Sequence, residues 1–355
     1  MKKVCIATYC EWNSYGSIMQ SIGLKKALES LGCNSFIVKD NCAPAPTKRT
    51  PLLIGKNPKK IIINTYNNML RKKTDARYRK AVEFINDNVD VMYYDNYEAL
   101  KKNPPKADYY IAGSDQIWHP DLCKPLFFLD FLNSDARRLS YAASMGVTNI
   151  KPEKEMLFSS LVKGISSVSV RENEMVTVIG NYTQKNINVH IDPTFLLDAD
   201  EWRTFEESYP IEKPYILVYA IYWDRKLNKE LKRLHKKSGC NIVALCGGFS
   251  TVWANKKIFD ASPGQFIWLV DNAEAVISSS FHGVAFALNF NKKLCSVINP
   301  KAPSRICSIL DKLQMENCEI KDVLNSNISI YAKTNEIIKC ERALAMAYLK
   351  ELLDE

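Results

Sequence analysis

Short apolar runs alternate with helix-period segments along the whole chain, and this alternation constrains the fold more than any other feature. It is the signature of an α/β protein with parallel sheets, because a parallel neighbour can be reached only through a crossover, usually a helix. Residues 4–8 read as a strand. A helix then opens at Gly16, carries Ile18, Met19, Ile22, Ala27, Leu28 and Leu31 on its apolar positions, and stops at Gly32. Residues 35–38 read as the second strand, 68–86 as a helix, and 109–112, 139–143, 167–170 and 189–191 as further strands. The pattern restarts after residues 193–214. There follow a strand at 215–220, a helix at 224–237, strands at 241–245 and 275–278, a helix at 284–289 and a strand at 293–298. At 355 residues the chain exceeds what one core usually supports. The expectation is two Rossmann-like domains facing a cleft, 1–198 and 199–355, with a final helix over 335–353 packing back on the first.

Charge and cysteine content narrow the function classes. A net charge of +9 spread over the chain would hint at nucleic acid, but it is local: eleven cations and one acid, Asp75, lie between Lys48 and Lys80. The rest is close to neutral, and no nucleic-acid-binding motif accompanies the cations. Segment 48–80 therefore reads either as a solvated linker and helix face or as a surface attracted to anionic lipid headgroups or a lipid diphosphate. Eleven cysteines, odd in number and without a CxxC pair, read as reduced thiols. No HxxxH, HExxH, Walker loop or GxGxxG occurs, so neither a metal nor a cofactor is expected. No run of about 18 apolar residues could span a membrane. The first apolar stretch is shorter than the roughly 7–15 residues of a secretory signal. A cytoplasmic location is expected, peripheral at the inner face of the membrane through 48–80.

In open parallel sheets ligands sit at the carboxyl ends of the strands, so residues directly after strands come first. Ser278-Ser279-Ser280-Phe281-His282-Gly283 joins an apolar strand to an apolar helix. Amides at a helix start attract anions, Gly283 permits close approach, and His282 has the chemistry for proton transfer. Arg171 follows a strand and is shaped for a carboxylate or phosphate, though an ion pair with Glu172 or Glu174 reads equally well. Gly113-Ser114-Asp115 could present polar groups to a ligand, with Trp118 offering a flat face to a sugar ring; Asp115 as a helix cap is the plainer alternative. Asp192-Pro193-Thr194 reads as an Asx-type turn. Lys301 and Arg305 flank a helix start after a strand. His119 could reach the cleft, whereas His190 reads as packing and His235 as surface.

Taken in order, seven segments resemble the polysaccharide pyruvyl transferase family. They are Tyr15-Gly16, Gly113-Ser114-Asp115-Gln116-Ile117-Trp118, Ser140-Tyr141-Ala142-Ala143-Ser144-Met145-Gly146, Ser169-Val170-Arg171-Glu172, Asp192-Pro193-Thr194, Ser279-Ser280-Phe281-His282-Gly283 and Ser304-Arg305-Ile306. The resemblance implies the type B glycosyltransferase architecture, and transfer of a carboxyethylidene unit from phosphoenolpyruvate to two hydroxyls of a sugar. It implies phosphoenolpyruvate binding by Arg171, His282 and Gly283 with Arg305 or Lys301, acid–base catalysis by His282 with Asp115 as acceptor-side base, and acceptor contacts from Tyr15, Gly16, Ser114, Trp118 and His119. The expected acceptor is a hexose on a lipid-diphosphate-linked oligosaccharide of a surface polysaccharide. Ser14 and His119 stand where the family usually carries Asn. A sugar-nucleotide-dependent glycosyltransferase of the same architecture and a non-catalytic saccharide-binding subunit are the alternatives.

Overall fold

The computed structural model describes residues 1–44, 58–133, 135–222, 225–246, 251–299, 304–326 and 331–354. Two five-stranded sheets, all parallel, organise the chain. The first comprises β1 (Lys2–Ala7), β2 (Cys33–Lys39), β3 (Val91–Tyr93), β4 (Tyr109–Ala112) and β5 (Arg138–Ser140), in the order β3-β2-β1-β4-β5. A two-stranded pair, β6 (Val168–Val170) and β7 (Ile187–Val189), continues this sheet beyond β5: the Ser140 amide donates to the Ser167 carbonyl and the Ala143 amide to that of Ser169. The second contains β8 (Tyr215–Tyr219), β9 (Asn241–Leu245), β10 (Lys256–Ile258), β11 (Ala275–Ser278) and β12 (Lys293–Ser296), ordered β10-β9-β8-β11-β12. Strands such as Val4-Cys5-Ile6-Ala7 and Ala275-Val276-Ile277 are fully buried, as parallel strands covered on both faces must be.

In each sheet the order reverses beside the first strand, between β1 and β4 and between β8 and β11, and such switch points open a crevice at the carboxyl ends. Three helices close the space between the sheets: α1 (Tyr15–Ser30), which follows β1; α4 (Pro263–Asp271), capped by Ser262 and Gln265; and α5 (Phe281–Asn289), which follows β11. Tyr15 stacks on Phe266 with ring centroids 4.9 Å apart and donates to the Ala261 carbonyl at 2.9 Å, joining the halves through one apolar core. Before α4 come α2 (Pro58–Asn88), longer than expected at both ends, and α3 (Arg225–Ser238); after α5 come α6 (Ser304–Lys312) and α7 (Tyr331–Asp354). Strands β3 and β10 were not anticipated, being three-residue edge strands whose pairing depends on the backbone.

The last helix, α7, starts against the second sheet, where the Tyr331 hydroxyl donates to the Lys292 carbonyl, and ends on the first. There Tyr348 donates to the Ser140 carbonyl at 3.2 Å and Tyr109 donates to the Leu353 carbonyl at 2.6 Å. His190 sits between the Tyr141 and Tyr348 rings, with Nδ1 2.8 Å from the Ser169 hydroxyl. Burial, with a smaller contribution from Lys312, holds its imidazole down at about 4 from 6.5. The unfolded chain takes up this proton first, so the contribution to stability is complete above pH 6.5 and is lost as the pH falls toward 4. Thermal unfolding between pH 4 and 8 should show that slope, and His190→Gln should flatten it; an unchanged slope would assign the effect elsewhere.

Candidate active site

Sequence-distant segments converge on one buried carboxylate, Asp192. Pro193 and Thr194 turn the chain straight after residues 187–191, and Asp192 Oδ1 accepts from the Thr194 amide at 3.0 Å and hydroxyl at 2.8 Å. That locks the side chain. Its Oδ2 accepts from Arg171 Nη1 at 2.7 Å and from the Ser114 hydroxyl at 3.2 Å, and lies 3.7 Å from His282 Nε2. Burial opposes the charge on Asp192, but His282 and Arg171 beside it, with the Thr194 amide, hold the carboxyl well below the usual carboxylate range.

Arg171 is placed by its own backbone: its amide donates to the Ala143 carbonyl at 3.0 Å, extending the sheet by one rung. The guanidinium is buried, gives Nε to Glu172 Oε1 at 2.9 Å, and lies 4.1 Å over the Phe281 ring. Burial works against its charge, yet Glu172, Asp192 and Asp115 together hold its pKa above the ordinary value. Glu172 is steadied in turn by the Ser144 hydroxyl at 2.8 Å. The ion-pair reading of Arg171 is thus met with Glu172 and with Asp192, and Nη2 is left over because one guanidinium carries five N–H groups.

A small pocket of about 10 Å³ lies beside this cluster, lined in part by Arg171, Glu172, Asp192, Phe281, Arg305 and Lys312. Arg305 projects from the first turn of α6. Burial and then the charge of Arg171 lower its pKa, with Asp115, Glu172 and Asp192 opposing. Among the described residues, four buried polar atoms of the cluster have no hydrogen-bond partner: Arg171 Nη2, Arg305 Nε, His282 Nε2 and Glu172 Oε2. Unpartnered buried polar groups are costly, and three of these four are on nitrogens. Such a set suits a small anion. No group of three or more His, Cys, Asp or Glu side chains is arranged to hold a metal among the described residues.

His282 is the second residue of α5, where its ring meets the start of α1. A Cβ on Gly16 would lie 2.0 Å from His282 Nδ1, so only glycine leaves room for the imidazole. A Cβ on Gly283 would meet the Ser278 hydroxyl at 2.3 Å, which explains the glycine in this strand-to-helix turn. Ser278 fastens the turn by donating to the Tyr219 carbonyl at 2.9 Å and accepting from the Ser280 amide at 3.0 Å. The Ser280 side chain makes no capping bond, so it leaves the first amides of α5 to other acceptors. Asp115 is half-buried at φ 70°, and its carbonyl accepts from the Ser144 amide at 3.0 Å.

Several expected acceptor contacts are placed differently. Trp118 is fully buried, stacks on Phe128 at 5.4 Å and donates to the Phe127 carbonyl at 3.0 Å, so its faces belong to the core. Ser114 is buried and spent on the Ala142 carbonyl and Asp192. Tyr15 joins the two halves, and Gly16 makes room for His282 rather than for a sugar. His119 Nδ1 accepts from the Asp121 amide at 3.3 Å, a loop-forming contact. Lys301 lies outside the described residues. Asp192, expected only to shape a turn, does so and also anchors Arg171; the available signal was an acid just past a strand's carboxyl end, as Arg171 is past the end of the paired strand.

A family model described as polysaccharide pyruvyl transferase matches residues 15–300. A search of curated proteins finds no match. Among solved structures, the chain is similar to UDP-GlcNAc 2-epimerase from Neisseria meningitidis bound to UDP-GlcNAc: 13% identity, TM-score 0.55, and all of both chains covered. It is also similar to the corresponding epimerase of Methanocaldococcus jannaschii, at 12% identity and TM-score 0.54, covering 94% of this chain and 91% of that one. The S. aureus MnaA-UDP co-structure gives 11% identity and TM-score 0.53, covering 95% and 91%. At these identities the likeness establishes the fold alone, the two-sheet architecture shared by type B glycosyltransferases and these epimerases.

Proposed function

This chain belongs to the polysaccharide pyruvyl transferase family, and from that premise we propose that it forms a pyruvate ketal on a hexose, with phosphoenolpyruvate as donor and phosphate as the second product. The observation that carries this reading is the pair of unpartnered buried nitrogens on Arg171 and Arg305, which line one small pocket, with the unpartnered Nε2 of His282 3.7 Å from Asp192 in its wall. Phosphoenolpyruvate brings a carboxylate and a phosphate separated by one carbon, a pair of anionic groups suited to two guanidinium groups. The uncapped first turn of α5 adds amides for the phosphate. The division into an acceptor-side unit, 1–198, and a donor-side unit, 199–355, is part of the same proposal.

In the proposed reaction a proton is delivered to the methylene carbon, leaving an oxocarbenium-like C2 that one sugar hydroxyl attacks. The second hydroxyl then takes the place of the phosphate on the same carbon. Of the two hydroxyl protons released, one balances the proton now on the methyl group and the other leaves with phosphate. His282 serves as the acid and base, held by Asp192 on one side and by the backbone at Gly16 on the other. Asp115 is the acceptor-side base. Arg171 and Arg305 stabilise the charge that collects on the departing phosphate.

A reaction run in deuterium oxide tests this chemistry. The new ketal methyl should carry one deuterium from solvent, with one phosphate released per ketal; a methyl free of deuterium would overturn protonation at that carbon. Gly16→Ala tests the placement of His282, and should cost turnover to within about tenfold of His282→Ala, with no further loss in the double variant. Additive losses in steady-state kinetics would separate the two positions.

The acceptor is proposed to be lipid-diphosphate-linked, so that the protein works in the cytoplasm at the inner membrane face. No helix among the described residues is long and apolar enough to cross a membrane. The outward face of α2 carries Ile61, Ile62 and Met69 exposed, followed by Lys72, Lys73 and Arg79. Arg77 faces inward instead, packing 4.3 Å over the Tyr15 ring and donating to the Asn13 carbonyl at 3.0 Å. Replacing Lys72, Lys73 and Arg79 by Glu should weaken sedimentation with anionic phospholipid vesicles at least about tenfold. Equal sedimentation would remove the lipid reading.

A further inference from the structure

A larger pocket, of about 350 Å³, opens in the first half of the chain at the carboxyl ends of β1, β2 and β3, against the side of α2. The donor reading makes no use of it. Its wall combines three aromatic rings, Trp12, Tyr78 and Tyr93, with the polar side chains of Glu11, Asn41 and Asn86. Trp12 and Tyr78 meet edge to face, with centroids 4.9 Å apart. Lys39 reaches in from β2, donating to the Cys10 carbonyl at 2.5 Å and to Glu11 Oε1 at 3.1 Å. Among the described lining residues the one acid is thereby neutralised, and they carry little net charge together.

We propose that this pocket binds an uncharged pyranose of the acceptor saccharide, an inference that rests on the transferase reading and names where its second substrate sits. Aromatic edges and faces beside amide and carboxylate groups match a ring with an apolar C–H face and a rim of hydroxyls. Among the described residues lining it no charge is left without a counter-charge, in contrast to the Arg171 pocket, and this favours an uncharged ligand over a phosphorylated or uronic one. The two pockets share the segment between β1 and α1. Trp12 lies four residues before Gly16, which packs on His282, and Arg77 ties Asn13, between them, to α2. Tyr9, half-buried on the same segment, feels the charges of both Asp115 and Glu11; burial, with those charges, pushes its hydroxyl up to about 12. A saccharide seated on Trp12 can extend along this segment toward His282.

Cys42 provides a reporter, because it is exposed and lines the pocket, while exposed Cys340 on α7 serves as an internal control. The experiment follows maleimide alkylation of both thiols by mass spectrometry in the presence of methyl glycosides of galactose, glucose and N-acetylmannosamine. At least one glycoside should slow labelling of Cys42 about threefold or more and leave Cys340 unchanged, and phosphoenolpyruvate alone should slow neither. Trp12→Ala should abolish the protection; Asn86→Ala, an exposed helix position, should weaken it in a protein that folds normally. Unprotected Cys42 with all three glycosides, or protection that survives both substitutions, would overturn the proposal. The readout needs no turnover. Protection without phosphoenolpyruvate chemistry would thus sink the transferase reading and leave the saccharide pocket standing.

Discussion

Arg171→Lys is expected to lower kcat/KM for phosphoenolpyruvate by at least about a hundredfold while the protein still folds. Lysine keeps the positive charge beside Asp192 and Glu172, so neither carboxylate is left alone in the interior. It loses the planar fork that serves Asp192 and Glu172 and still has an N–H to offer, at Nη2, to the pocket. Arg171→Ala is a poorer test of function, because it strands two buried carboxylates. Breaking a buried pair by removing one partner costs about 3–5 kcal/mol, a large share of the stability of an ordinary domain. Steady-state kinetics beside thermal melts separate the two effects: a lysine variant of normal melting temperature and normal kcat/KM would show that Arg171 is structural only.

His282→Gln should reduce kcat by about 10²- to 10⁴-fold, the usual contribution of a positioned acid or base, and leave phosphoenolpyruvate binding within a few-fold. Glutamine fills much of the same space between Gly16 and Asp192 and keeps an N–H, so the fold and the hydrogen-bonding capacity persist. Only proton transfer is lost. The reasoning depends on the close seat of the ring, 2.0 Å from where a Gly16 Cβ would stand, which fixes Nε2 toward Asp192. A glutamine variant retaining a tenth or more of wild-type kcat would move the acid–base role to another group, with Asp115 the next to test.

The parallel α/β architecture was legible because buried parallel strands are written as continuous apolar runs, and the restart near residue 215 marked the second sheet. The edge strands β3 and β10 were not legible, since three residues are too few to carry a period. Within the candidate site, the clustering of Arg171, His282 and Arg305 near Asp192 could be anticipated from their places directly after strands or at helix starts. The part played by Asp192 could not, because an Asx turn and an ion-pair anchor look the same in one dimension. Trp118 failed for a related reason: an aromatic after a polar turn reads as exposed, while here Phe127 and Phe128 fold back to cover it. The saccharide pocket was invisible for want of sequence proximity, as Trp12, Tyr78 and Tyr93 come from three distant segments.

Equilibrium binding of phosphoenolpyruvate, followed by calorimetry with inorganic phosphate, pyruvate and UDP as competitors, tests the central claim without knowledge of the acceptor. Phosphoenolpyruvate should bind more tightly than either phosphate or pyruvate, lose at least about tenfold in affinity with Arg171→Lys and with Arg305→Lys, and be indifferent to UDP. Tight binding of UDP with none of phosphoenolpyruvate would contradict the account and return the chain to sugar-nucleotide chemistry.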